Sequence, residues 1–92
     1  MALTFEWDEI KAEENFGKHG ISFEEAKTVF NDPLSITIYD PDCSTDEDRF
    51  LDVGLSSTGR ILVVSYTERG KNIRLISGRE ATRKERKNYE EK

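Results

Sequence analysis

Two turns constrain this chain more than any other feature. Arg49–Ser56, Arg60–Thr67 and Asn72–Gly78 each read as β-strand, and only Ser57-Thr58-Gly59 and Glu68-Arg69-Gly70-Lys71 separate them. Parallel neighbours need crossovers of a dozen residues or more, so turns this short force an antiparallel meander. Leu51, Val53 and Leu55 alternate with Phe50, Asp52 and Gly54, while Ile61-Leu62-Val63-Val64 is apolar on both faces, as a central strand is. Ile73 and Leu75 oppose Arg74 and Ile76. Leu34–Asp40 is a fourth alternating run, and Leu3–Trp7 supplies a possible short N-terminal strand.

Helices bracket the meander. Asp8 stands as the N-cap of a helix from about Glu9 to Lys18 that stops at Gly20. Its expected core residues are Ile10, Ala12 and Phe16, and Lys11, Asn15 and Lys18 form a separate polar stripe. Ser22 and Glu25 make a capping box, with Ile21 stapled to Ala26, and Phe23, Ala26, Val29 and Phe30 line one face. Asn31-Asp32-Pro33 closes this second helix, because the residue before proline avoids helical geometry. Thr82 and Glu85 form another capping box, opening a last helix over roughly Arg83–Glu91. At 92 residues the chain is one domain, residues 1–92, of α+β class: a two-layer arrangement with two N-terminal helices, an antiparallel sheet and a C-terminal helix.

The charge is unevenly placed. The net value is −5, yet residues 1–59 hold four Lys/Arg against fourteen Asp/Glu, and residues 60–92 hold ten against five. An anion responds to the local field, so an acidic protein can still present a basic face. No apolar run approaches the roughly 18 residues of a membrane span, and the N-terminus lacks the order of a signal peptide; the expected place is the cytoplasm. One cysteine, Cys43, makes neither an intrachain disulfide nor a metal cluster.

Phosphate-loop, dinucleotide and zinc-protease signatures are absent. The carboxylates Asp40, Asp42, Asp46 and Asp48 miss the spacing of a calcium loop. Arginine remains. Arg60, Arg69, Arg74 and Arg79 lie on or beside adjacent strands, with Arg83, Lys84, Arg86 and Lys87 on the last helix. Guanidinium groups give phosphate bidentate donors and stabilise the charge of a phosphorane-like transition state. Cleavage of RNA without a metal further needs a base for the 2′-OH and an acid for the 5′-oxygen; His19, Glu47 and Tyr66 are chemically able to serve. The competing reading is a solvated arginine face paired with nearby glutamates, a C-capping His19 and a core Tyr66.

The order of residues then carries a resemblance. Phe5-Glu6-Trp7-Asp8-Glu9-x-Lys11, Asn15, Lys18-His19-Gly20-Ile21-Ser22-Phe23-Glu24-Glu25-Ala26 and Phe30-x-Asp32-Pro33 are similar to the opening of the BrnT toxins. Glu47-x-Arg49, Gly54, Gly59-Arg60, Tyr66-Thr67-x-Arg69, Ile73-Arg74-Leu75-Ile76-Ser77 and Arg79-x-Ala81-Thr82-x-x-Glu85-Arg86-x-x-Tyr89 continue it. The resemblance implies a RelE-like or barnase-like ribonuclease that arrests translation, uses no metal or other cofactor, and is neutralised by a BrnA-like antitoxin. It further implies a toxin–antitoxin heterotetramer that represses its operon, so that DNA is met only through the antitoxin. Carried over by position, it implies His19, Glu47, Arg49, Arg69 and Arg79 as catalytic, with Lys11, Arg60, Arg74 and Arg83 binding substrate. This chain departs from the family in one respect: Cys43-Ser44 stands where relatives have a His-Ser pair. That change and the acidic total define the alternative, a degenerate toxin that binds antitoxin and co-represses without catalysis. The antitoxin surface is expected where the arginines lie, because acidic side chains are steered there.

Overall fold

Capping sets the helices. In the computed structural model, which describes residues 4–40 and 48–91, the elements are β1 (Thr4–Glu6), α1 (Glu9–His19), α2 (Phe23–Ala26), a 3₁₀ helix (Lys27–Asn31), β2 (Ile36–Asp40), β3 (Arg49–Leu55), β4 (Ile61–Arg69), β5 (Asn72–Glu80) and α3 (Arg83–Glu90). Asp8 accepts from the amides of Ile10 and Lys11, and Gly20 ends α1 at φ 70°, a left-handed value that favours glycine. Thr82 and Glu85 form the full capping box of α3. The Ser22 box is only half made: Ser22 Oγ accepts from the Glu25 amide at 3.0 Å, but the Glu25 carboxylate turns to Arg60 instead. The expected second helix is likewise α-helical for one turn, then tightens to 3₁₀.

The sheet has five strands in the order β1-β5-β4-β3-β2. β2 to β5 form the expected antiparallel meander, while β1 runs parallel to β5 with Phe5 opposite Ile73, which makes the sheet mixed. The chain between β1 and β5 runs through both helices and three strands, which leaves length enough for that parallel pairing. α1, α2 and the 3₁₀ helix cover one face. Ile21, Ala26 and Val29, all fully buried, pack there on Leu62, Val64 and Leu75. Burying each of these side chains other than Ala26 contributes about 1.5–3 kcal/mol. An aromatic chain runs across the same face, from Phe5 to Phe30, Tyr66, Phe50 and Tyr39. Gly54 is there because a Cβ would stand 2.9 Å from both Val29 Cγ1 and Ser35 Cβ.

Two expectations for α1 are corrected. Ile10 and Phe16 are not core residues; they are 67 % and 58 % exposed. Asn15, read as part of a polar stripe separate from the core residues, is buried. Its amide donates to the carbonyls of Ile21 and Gly78 and accepts from the Gly78 amide, at 2.9, 3.0 and 3.1 Å. A buried side chain that satisfies three backbone groups anchors a helix as an apolar contact does.

α3 lies on the other side of the sheet. Glu85 and Asn88 border a hollow of about 180 Å³ with Ile36, Ile38, Leu51, Val53 and Val63. Tyr89 reaches round the end of β3 to donate to Asp32, whose carboxylate also accepts the Leu55 amide at 2.9 Å. Among the described residues, α1, α2 and the 3₁₀ helix cover one face of the sheet and α3 borders part of the other.

Candidate nucleic-acid interface

Residues paired across adjacent strands share a face, so the register assigns each arginine a side. Arg49 pairs with Thr67, and Thr67 pairs with Arg74; Asp40 lies beyond Arg49 and Glu6 beyond Arg74. This row, Asp40–Arg49–Thr67–Arg74–Glu6, crosses all five strands on the face away from α1 and α2. Arg69, paired with Asn72, and Arg79, paired with Val63, are on the same face. Ser65 and Ser77 are paired between them. Neighbouring strands are about 4.8 Å apart, so Arg49 and Arg74 flank Thr67 with backbones about 10 Å from each other. On this face Arg49, Arg69 and Arg74 outnumber the carboxylates Asp40 and Glu6, and a phosphodiester chain is attracted to such a surplus.

Arg74 is 3.6 Å from Glu6, a loose half-exposed pair. Arg79 is differently held: its guanidinium forks onto Glu85 at 2.8 and 2.9 Å, which keeps the Glu85 carboxyl down at about 2. Glu85 is also the capping residue of α3. Arg79 thus joins the sheet to the start of that helix.

Lys11, Lys18 and His19 meet elsewhere. With Glu14, Asn15, Ile76 and Ser77 they line a concavity of about 260 Å³ between α1 and β5. The Asn15 anchor turns the Lys11–Lys18 stripe toward the sheet edge, and exposed His19 is the last residue of α1. Ser77 lines this concavity and also belongs to the arginine face, so the two basic groups adjoin at β5.

Arg60 is on the opposite face. It donates to Glu25 at 3.1 and 2.5 Å, and Ser56 and Thr58 donate to the same carboxylate. Arg60 foremost, with those hydroxyls, holds Glu25 at about 2 against the effect of burial. The structure thus separates Arg60 from the other strand arginines. Arg83 is exposed on the first turn of α3. Glu47 and Cys43 lie outside the described residues. Tyr66 is in the core between Phe30 and Phe50, where burial raises its phenol. Sequence reasoning missed Asn15 and Thr67. Neither carried a local signal, since the partners of Asn15 and the neighbours of Thr67 are brought to them by the fold.

Another concavity, of about 460 Å³, is unsuited to RNA. Trp7, Ala12, Phe16 and Phe23 line it with Glu9, Glu13 and Glu24. Among the described residues no three His, Cys, Asp or Glu side chains converge as metal donors, and no helix is long and apolar enough to cross a membrane.

A five-stranded α+β domain with arginines gathered on one sheet face matches a known class. The family described as ribonuclease toxin, BrnT, of type II toxin-antitoxin system matches residues 7–85, and the chain belongs to that family. The crystal structure of the Brucella abortus ribonuclease toxin BrnT superimposes with a TM-score of 0.65 and 25 % identity, covering 89 % of this chain and 100 % of that one. No curated protein sequence matches. Membership in a type II system implies an antitoxin partner.

Proposed function

We propose that this chain is a metal-independent endoribonuclease whose arginine face holds the RNA backbone. The observation that carries this is the gathering of Arg49, Arg69, Arg74 and Arg79 on one face of the sheet in a member of a ribonuclease toxin family. The 2′-oxygen attacks its neighbouring phosphorus and its proton passes to a base. The bond to the 5′-oxygen breaks, that oxygen takes a proton from an acid, and a 2′,3′-cyclic phosphate is left. His19 and Glu47 are the groups assigned to the two transfers. Arg49, Arg69 and Arg74 stabilise the charge gathered on phosphorus, and Lys11 with Lys18 extends the basic track around β5. Arg79, engaged with Glu85, reaches the phosphate only by leaving that carboxylate. Arg60, on the covered face, is read as structural, and Arg83 as an outlying contact at the end of the track.

The remaining parts of the reading follow from the resemblance. Residues 1–92 act as one RelE-like domain in the cytoplasm, arresting translation until a BrnA-like antitoxin covers the site in a heterotetramer. The open face suits that partner, since the apolar hollow of Ile36, Leu51 and Val53 borders the arginines. DNA is reached only through the antitoxin.

The test is cleavage of a defined RNA in EDTA by wild type, Arg69→Ala and His19→Ala. The reading expects cyclic-phosphate ends from wild type and a loss of at least about 100-fold for each variant. Folded protein that binds antitoxin but cleaves neither free RNA nor RNA in a translating extract would establish the degenerate co-repressor instead.

A further inference from the structure

Thr67 is the one described residue with a buried side-chain polar atom that lacks a hydrogen-bond partner: its hydroxyl is closed to solvent and the residue is 1 % exposed. A buried hydroxyl without a partner is destabilising, and valine has the same shape without the penalty. Among the described residues nothing compensates for the oxygen at this position. Its immediate neighbours across the strands are cationic, with Asp40 and Glu6 at the two ends of the row. Arg49 and Arg74 are its paired neighbours on β3 and β5, and Arg69 follows two residues on along the same face. The hollow bordered by α3 extends along the sheet from the row of Val63 to that of Leu51 and Ser65, which is two residues from Thr67 along β4.

From this placement we infer that Thr67 is a phosphate-positioning residue, its hydroxyl donating to a non-bridging oxygen of an RNA phosphodiester seated between Arg49 and Arg74. The inference rests on the reading that this face takes RNA, and it adds a residue and a register to it. Arg74 gives up its 3.6 Å pairing with Glu6 as the phosphate arrives, and the guanidinium groups reorient onto the anion. The hydroxyl gains a charged acceptor in place of none. Paired strands separate the two arginines by about 10 Å, so one phosphate between them is contacted from both sides with Thr67 at its base. Thr67 is not placed to accept or supply the reacting protons; its effect falls on substrate binding.

The experiment titrates a short 2′-O-methyl RNA, which cannot be cleaved, into wild type, Thr67→Val and Thr67→Ser, with melting temperatures measured on the same samples. Thr67→Val is expected to bind about tenfold more weakly and to melt about 4–8 °C higher. Thr67→Ser, which keeps the hydroxyl, is expected to bind within about twofold of wild type. On a cleavable RNA, Thr67→Val raises KM and leaves kcat unchanged. Equal affinity of Thr67→Val and wild type overturns the inference, as does a lower melting temperature for Thr67→Val. Wild type that fails to bind the oligomer also overturns it, while cleavage of RNA by the same preparation would leave the ribonuclease reading standing.

Discussion

Arg74 and Arg79 are five residues apart on one strand and nevertheless share a face of the sheet. Ser65 pairs with Ser77 but Tyr66 pairs with Leu75, so β5 carries one extra residue at Ile76. Simple alternation would have sent the two arginines to opposite sides. The bulge restores them to one face while Leu75 and Gly78 both keep to the covered one. It also falls where β5 meets the Lys11–His19 concavity. One inserted residue therefore aligns the basic surface.

The two arginines differ in what else they do. Arg79→Ala is expected to lower stability by about 1 kcal/mol, because it frees Glu85 at the start of α3 in a pair that is still partly solvated. Arg74→Ala should leave stability within about 0.5 kcal/mol and weaken RNA binding about tenfold, with a shallower salt dependence. Denaturant melts and titrations at two salt concentrations separate the effects.

Asn15→Ala should destabilise the protein by about 2–4 kcal/mol, since it strands three backbone groups in the α1–β5 seam. Asn15→Asp should be at least as harmful at neutral pH, because a carboxylate cannot donate to the Ile21 and Gly78 carbonyls. Hydrogen exchange should then show earlier opening of α1 than of β4.

Stability should fall in acid for a definite reason. Glu25 and Glu85 are both held at about 2, below their ordinary carboxylate values, so they are ionised in the native state where the unfolded chain would bind protons. Their contribution is complete above about pH 5 and is lost as pH falls toward about 2. Glu25→Gln with Glu85→Gln should flatten the melting temperature across that window, with a lower plateau at neutral pH.

Gly54→Ala should cost about 1–3 kcal/mol, as the new methyl enters space held by Val29 and Ser35. The denaturation midpoint should drop with no change in slope.

Local chemistry made much of this legible. The caps at Asp8 and Thr82, the stop at Gly20 and the short turns each act within a few residues, and each element they bound is present. The resemblance likewise pointed to the family that the comparison establishes. What local pattern could not express was pairing over distance. β1 joins β5 in parallel across most of the chain, and the Ile76 bulge is defined only by the register with β4. Asn15 looked like surface because its partners, Ile21 and Gly78, are brought to it by the fold. Ile10 and Phe16 looked like core because α1 has apolar residues on a side that the short α2 does not cover. Arg60 was grouped with the other arginines because a list of charges carries no face.

RNA seated on the arginine face is visible in amide chemical-shift mapping with the non-cleavable oligonucleotide. Perturbations are expected at Arg49, Ser65, Thr67, Arg69, Arg74 and Ser77, fading as salt is raised. Perturbations confined to the groove of Trp7, Phe16 and Phe23, or to the Arg60–Glu25 side, would contradict the account.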